Sequence, residues 1–247
     1  MRERRAVCLF LAVAAGALSA RAVSVASVES VYRRGLGITD KPAEDLPGRL
    51  EAYEEAGARA PHVFEYRLRS AQIRLGRAAG GGAGAAADVE RALQHAQAAV
   101  AAHPLDAVAR SVLADALLLS GRADEARTEA TRALRLGPMH PGAQGAVARL
   151  GLDTWAVRGD VAFLRLALDA GALLDASDPA AEGRQARRRA ERACARRPGG
   201  ALPDLLEAAG GDAGRLRVAA AWLERADPVG ATVLLDAAER ARPGDPR

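Results

Sequence analysis

The sequence predicts an all-α fold: an α-solenoid of stacked helix-turn-helix repeats, preceded by an N-terminal membrane or signal helix. Aromatic residues make up only 3% of the chain, and no segment alternates valine, isoleucine or threonine as a half-buried strand would. Alanines recur at fixed distances before prolines, which indicates repeated helices of one design. A basic N-terminus leads into a long apolar run, which is typical of a segment that enters a membrane.

Residues 1–28 are predicted to be a signal peptide or a signal-anchor helix. The basic sequence MRERR precedes an apolar run from Ala6 to Ala20, as in the n-region and h-region of a signal. Cleavage after a small-x-small sequence, at 20–22 or 24–26, would release the remainder into the periplasm. Left uncut and interrupted only by Arg21, the segment is long enough to cross a bilayer. It would then anchor the protein in the inner membrane, with the remainder facing the periplasm.

Residues 29–247 are predicted to form the solenoid, and residues 107–140 are its clearest repeat. Asp106 is expected to cap the first helix of this repeat, and Gly121 is expected to end it. Pro138 stops the second helix, because proline cannot continue a helix. Three alanines lie twelve, eight and five residues before that proline and mark one face of the second helix: Ala126, Ala130 and Ala133.

A second repeat is predicted over residues 62–104, with an inserted loop at 77–87. Its alanines and its proline lie 34 residues before their counterparts in the clearest repeat, and they are Ala92, Ala96, Ala99 and Pro104. The glycine-rich sequence of the insertion disfavours helix. Asp88 is therefore expected to cap the helix that follows the loop.

Degenerate repeats are predicted over residues 141–247. Two helical stretches meet near Asp160, which is expected to cap the second of them. Alanines recur twelve, eight and five residues before Pro198. A last helix begins at Asp227 and Pro228, because a capping carboxylate followed by proline is a typical helix start.

This spacing resembles the tetratricopeptide repeat, a helix-turn-helix unit of ~34 residues with small residues and a closing proline at fixed places. The resemblance implies that the first helices of successive pairs line a concave face that holds another protein or a peptide. By the same resemblance, the residues on that face would be Tyr66, Ser70, Ser111, Asp115 and Leu118. Some family members grip a C-terminal carboxylate with lysine, asparagine and arginine at such positions, and none of these residues occurs there in this sequence, which argues against that mode of binding.

Residues 31–36, VYRRGL, and the apolar segment before them are also similar to the extracytoplasmic tail of O-antigen-ligase-type polysaccharide proteins. This resemblance implies a pathway, the assembly of envelope polysaccharide. It implies no ligase activity, because the multi-span catalytic part of those proteins has no counterpart in the sequence. The predicted function is that of a non-catalytic exported scaffold that binds a protein partner in the bacterial cell envelope.

An arginine-rich run supports an alternative function. Its members on one predicted helix are Arg184, Arg187, Arg188, Arg189, Arg192 and Arg196. Such a face is either solvated or binds an anionic ligand, because guanidinium groups pair with phosphate and carboxylate. The alternative is a periplasmic binding module for an anionic glycan or a lipid headgroup.

Several function classes lack the residues that they need. The net charge is +4, but nearly all of the positive charge comes from arginine, with Lys41 the only lysine, and aromatic residues for base stacking are scarce. The four histidines form no HxxxH or HExxH pair, and the two cysteines form no zinc pattern. Neither a nucleophile elbow nor a phosphate loop occurs. We therefore predict no catalytic, cofactor-binding or metal-binding residues, no enzymatic activity, no cofactor, no nucleic-acid partner and no small-molecule substrate.

Overall fold

A computed structural model of the chain describes residues 46–177, 182–197 and 200–241, and no strand occurs in these ranges. The all-helical prediction is confirmed for this part of the chain. In order, the helices are α1 (Leu46–Arg59), α2 (Phe64–Ala79), α3 (Ala85–Ala102), α4 (Ala107–Leu119), α5 (Ala123–Leu136), α6 (Pro141–Arg158), α7 (Val161–Ser177), α8 (Glu182–Ala195), α9 (Ala201–Ala209), α10 (Ala213–Leu223) and α11 (Pro228–Arg240). The chain divides into two compact units, the first ending at Ala102 and the second beginning at His103.

The first unit contains α1, α2 and α3, and α2 packs against both of the others. Its small apolar cluster consists of Tyr53, Ala56, Ala60 and Tyr66. An ion-pair network supplements this cluster. Arg74 of α2 donates from Nε to Glu54 of α1 at 2.9 Å and from Nη1 to Asp88 of α3 at 2.6 Å. Because Arg74 is only 4% exposed, its charge must be paired, and this pairing ties three helices together.

The second unit contains α4 to α11, arranged mainly in two layers. The front layer consists of α4, α6, α8 and α10, each packed against the next. The back layer consists of α5, α7 and α9, which also pack in succession, and α11 packs on α10. Most of the apolar side chains of this unit form two buried clusters, one of them around Phe163 and the other around Trp155. Stacking of helices in successive layers is the arrangement of an α-solenoid.

Helix ends in the second unit follow the local sequence. Asp106, Asp160 and Asp227 each accept a hydrogen bond from a backbone N–H in the first turn of the following helix, at 2.6, 2.9 and 2.9 Å. The turn after α4 requires a left-handed residue, and Gly121 supplies it with a φ of 83°. These contacts confirm the predicted caps and the predicted break.

The inserted loop of the first unit is shorter than the sequence indicates. The structure ends α2 at Ala79 and begins α3 at Ala85, so residues 80–84 connect them in place of the predicted 77–87. Asp88 lies in the first turn of α3 and does not cap it. Its carboxylate instead pairs with the buried Arg74, and this long-range contact outweighs the local preference of aspartate for a cap.

The alanines that precede Pro198 identify the buried face of their helix, but they do not identify the layer to which that helix belongs. Ala186, Ala190 and Ala193 are buried, but their helix, α8, lies in the front layer. The same alanine offsets occur in α5, which lies in the back layer. Small side chains permit close approach to any neighbouring helix, so the pattern cannot specify which neighbour it meets. The short helix α9, which the sequence pattern did not predict, supplies the back layer beside α8.

The predictions for residues 1–28 and 31–36 lie outside the described residues, as does Pro198. Among the helices of the described ranges, none combines the length and the apolar character needed to cross a membrane. The signal-anchor helix therefore stays a prediction from the sequence.

Candidate functional site

An open groove crosses the front layer between α6, α8 and the turn after α10, with a volume of about 890 Å³. Its lining consists of Gly145, Ala146, Arg149, Gln185, Ala186, Arg188, Arg189, Glu191, Arg192 and Arg225. Five of these residues are arginine and one is acidic. The groove is therefore strongly cationic, and it favours anionic groups.

Helix α8 supplies most of the lining because its sequence divides it into two faces. The buried face is apolar and consists of Ala186, Ala190, Ala193 and Cys194. The helical period places Arg188 and Arg192 one turn apart on the opposite, exposed face. Helix α6 contributes Gly145 and Ala146 to the lining, and these small residues occupy little of the space in the groove.

Asp115 of α4 holds Arg149 of α6, 34 residues along the chain, by accepting a hydrogen bond from its guanidinium group. Burial raises the pKa of the Asp115 carboxyl above its ordinary value, and the attraction of Arg149 only partly opposes this effect. Burial opposes the charge of Arg149 as well, but the nearby Asp115 outweighs it and leaves the pKa of Arg149 raised. Arg149 is thus a charged side chain whose charge is already paired.

Two more arginines of the groove form ion pairs between successive helices of the front layer. Arg189 of α8 donates to Asp153 of α6 at 3.1 Å, a contact between residues 36 positions apart. Arg225, beyond the end of α10, lies 3.6 Å from Glu191 of α8. With the pair between α4 and α6, these contacts form a ladder of ion pairs along the layer, each spanning about one repeat length.

Arg188 and Arg192 differ from the other arginines of the groove. Both are exposed, and neither forms an ion pair within the described part of the chain. Nε of Arg192 donates to the backbone carbonyl oxygen of Arg188 at 3.3 Å, a bond that leaves both positive charges uncompensated. A ligand in the groove reaches these two cations without breaking an existing ion pair.

The structure brings three of the six predicted patch arginines into the groove: Arg188, Arg189 and Arg192. Arg187 instead pairs with Glu224 beside α10, at 2.5 Å. Arg184 on α8 and Arg196 just beyond its end are exposed, but neither lines the groove. Anion binding by the arginine patch stays a prediction. Only three of its six predicted arginines line the groove.

Arg149 and Arg225 also belong to this site, although neither was predicted from the sequence. A usable signal was present, because each lies one repeat length after an acidic residue, Asp115 and Glu191 respectively. In stacked repeats, residues separated by one repeat length occupy equivalent places on neighbouring helices. Opposite charges at that separation therefore predict an ion pair across the layer.

Three of the five residues predicted to face a partner are buried: Tyr66, Ser70 and Ser111. Each serine hydroxyl donates to a backbone carbonyl oxygen of its own helix, at 3.0 and 2.8 Å, so both hydroxyl donors are satisfied within the helix. Leu118 is half-buried on α4, and Asp115 is already paired with Arg149. Partner contacts through these five residues stay a prediction.

A smaller groove of about 400 Å³ lies on the back layer, where α5, α7 and α9 meet. Its two arginines are already engaged. Arg127 pairs with Asp124 at 3.0 Å, and Arg165 donates to the carbonyl oxygens of Glu207 and Ala208. With its cations occupied, this groove offers a ligand less than the groove of the front layer.

Titratable groups elsewhere in the described ranges do not assemble into a metal site. His95 of α3 lies 3.9 Å from Glu54, and its pKa is lowered mainly by burial, against the attraction of that carboxylate. Burial raises the pKa of the Cys194 thiol to about 12. This thiol is therefore neutral at physiological pH, and a neutral thiol is a poor nucleophile.

In a comparison with known protein families, residues 85–150 match the tetratricopeptide repeat. The matched residues cover α3, α4, α5 and the first part of α6. A search of the curated proteins finds no match to the chain. The family resemblance predicted from the alanine and proline spacing is thereby confirmed over this segment.

Proposed function

The protein contains a tetratricopeptide repeat segment, and from this premise we propose that it is a non-catalytic scaffold that binds another protein in the groove of the front layer. The observation behind this proposal is the groove itself, which begins within the matched segment at Gly145 and Arg149 and extends to α8. Stacked helix pairs of this kind provide extended surfaces for partner proteins. The exposed Arg188, Arg192 and Gln185 supply polar contacts there.

We further propose that this scaffold acts in the bacterial cell envelope, in the assembly of polysaccharide or of another envelope complex. The basic and apolar sequence of residues 1–28 supports export. Fractionation of host cells with N-terminal sequencing of the recovered chain tests this. An intact N-terminus in the membrane fraction indicates an anchor, a mature end near Val23 or Ser27 in the periplasm indicates a cleaved signal, and recovery from the cytoplasm contradicts export.

Site-specific crosslinking from the groove tests partner binding directly. A photoreactive residue at Gln185, on the exposed side of α8, is expected to crosslink one dominant protein in host cells. The same residue at Thr128, exposed on α5 of the back layer, is the matched control and is expected to capture no such protein. Equal crosslinking patterns from the two positions would contradict binding in the groove.

The same cationic groove supports a second candidate function, the binding of an anionic glycan or a lipid headgroup. The observation in its favour is the pair of uncompensated cations at Arg188 and Arg192. Phosphate and carboxylate both pair with guanidinium, so the two candidates differ in the ligand and share the site.

A further inference from the structure

We propose that the groove of the front layer binds an acidic polypeptide segment whose carboxylates pair with Arg188 and Arg192. This inference rests on the proposed function and specifies the chemistry of the partner. It begins from the groove lining, in which five arginines face one acidic residue. An anionic partner is the complement of such a surface.

The exposed face of α8 is organised for an anion. Arg184, Arg188 and Arg192 follow one another on α8 at intervals of four residues, so they lie in one row along the helix. Arg196 follows four residues later, just beyond the end of α8. Like charges at this spacing destabilise an isolated helix. Carboxylates placed along the row would relieve that repulsion, and binding would therefore stabilise α8.

The ladder of ion pairs separates the cations that build the fold from those that can bind a ligand. Arg189 is engaged with Asp153, and Arg225 with Glu191. These pairs join neighbouring helices, whereas the charge of Arg188 and that of Arg192 have no acidic partner in the described ranges. An arriving carboxylate gains a charged hydrogen bond there without costing an existing one.

The shape and chemistry of the groove favour a peptide over a membrane or a polyphosphate. Its lining includes two small apolar residues, Ala146 and Ala186, which offer a surface for an apolar side chain of a peptide. Gln185 at the rim offers both a donor and an acceptor, which match a peptide group. Glu191 in the groove lining disfavours an unbroken row of charges such as a polyphosphate, whereas a peptide can place an uncharged residue beside it. A flat layer of headgroups does not enter a recess between helices.

Fluorescence anisotropy on the full chain in a mild non-ionic detergent tests the inference. The probe is a labelled peptide in which glutamates are spaced by alanine and glycine, and its matched control carries glutamine in place of each glutamate. We expect the acidic peptide to bind saturably and to weaken as salt is raised. The glutamine peptide is expected not to bind.

Two double variants localise the binding. Arg188→Gln with Arg192→Gln is expected to weaken binding of the acidic peptide about tenfold, which corresponds to about 1.4 kcal/mol. Arg135→Gln with Arg158→Gln removes the same charge from exposed positions outside the groove lining, and it is expected to leave binding unchanged. Equal weakening by the two variants would mean that only net charge matters, and it would overturn the inference.

A variant that is expected to bind the peptide more tightly provides an independent test, because its substitution lies on α6 and leaves the sequence of α8 unchanged. Asp153 is 57% exposed and neutralises Arg189. Asp153→Asn frees that guanidinium beside the groove, so binding of the acidic peptide is expected to tighten. Unchanged or weaker binding in this variant, with helicity retained by circular dichroism, would count against the inference.

Other ligands and the crosslinking experiment separate the remaining outcomes. Polyphosphate or short-chain phosphatidylglycerol that binds with dependence on Arg188 and Arg192, where the acidic peptide does not, would overturn the inference and favour the second candidate function. A protein crosslinked from Gln185, together with no preference for the acidic peptide over its glutamine control, would overturn the inference and leave the proposed function standing. Binding of the acidic peptide without any groove-specific crosslink would instead contradict the proposed function.

Discussion

Glycine and alanine residues set how closely the helices of the second unit approach one another. A Cβ added at Gly151 of α6 would lie 2.5 Å from the carbonyl oxygen of Phe163 and 2.8 Å from Cβ of Ala167, both on α7. Ala130 and Ala133 on α5 are likewise fully buried. At such contacts the absence of side-chain atoms is what the packing requires, because protein interiors leave no room for additions.

Gly151→Ala is therefore expected to destabilise the second unit by about 1 to 3 kcal/mol, the usual cost of overpacking. Gly76→Ala is the matched control, because Gly76 also lies inside a helix but has open space where a Cβ would be placed. The control is expected to stabilise its helix by up to about 1 kcal/mol, since alanine loses less backbone entropy than glycine. Urea denaturation followed by circular dichroism measures both, and equal effects would show that the α6 and α7 contact is looser than described.

Single helices are positioned by polar contacts that local sequence does not reveal. In the first unit, α2 is tied to its neighbours through Arg74, which pairs with Glu54 and Asp88. In the second unit, Trp155 of α6 donates to Asp204 of α9 at 2.9 Å. Each contact joins elements distant in the chain, and each satisfies a polar group at a buried or partly buried site.

Arg74→Met is expected to destabilise the first unit by about 3 to 5 kcal/mol, because it leaves the buried carboxylate of Asp88 with a much weaker partner. Arg77 also pairs with Asp88, at 3.1 Å, but its side chain is 44% exposed. Arg77→Met is therefore the control, with an expected cost of less than about 1 kcal/mol. Hydrogen exchange of the amides in α1, α2 and α3 measures the difference, and equally faster exchange in the two variants would refute the role assigned to Arg74.

The molecule as a whole combines a repeat pattern with two compact units. The family match covers residues 85–150, whereas the boundary between the units falls after Ala102. The repeat in the sequence thus continues across a boundary at which the packing divides. In stacked repeats most stabilising contacts are between neighbours, so each unit can have its own stability.

Cys194 reports on the opening of the second unit. Its thiol is buried in the cluster around Trp155, and burial raises its pKa to about 12. In a Cys8→Ser variant of the full chain, iodoacetamide is expected to label Cys194 slowly at neutral pH, because the thiolate is scarce and enclosed. Labelling in urea is expected to be fast and serves as the control. Fast labelling of the native chain, measured by mass spectrometry, would mean that α8 opens readily.

Sequence by itself determined the helical class, the repeat and several helix ends. These features depend on contacts within a few residues: a capping carboxylate such as Asp106, a left-handed glycine such as Gly121, or a small residue once per helical turn. Most residues of the candidate site could not be predicted from such local contacts. Arg188, Arg189 and Arg192 were predicted, but their separation from Arg187 was not.

Only the tertiary structure decided which charged side chains form ion pairs within the fold and which can still bind a ligand. In the tertiary structure, Asp88 pairs with Arg74 and α8 lies in the front layer. Arg149 and Arg225 line the groove. The physical reason is that an ion pair depends on distance in space. Whether an arginine meets a carboxylate is therefore settled by how the helices stack, and local sequence does not contain that information.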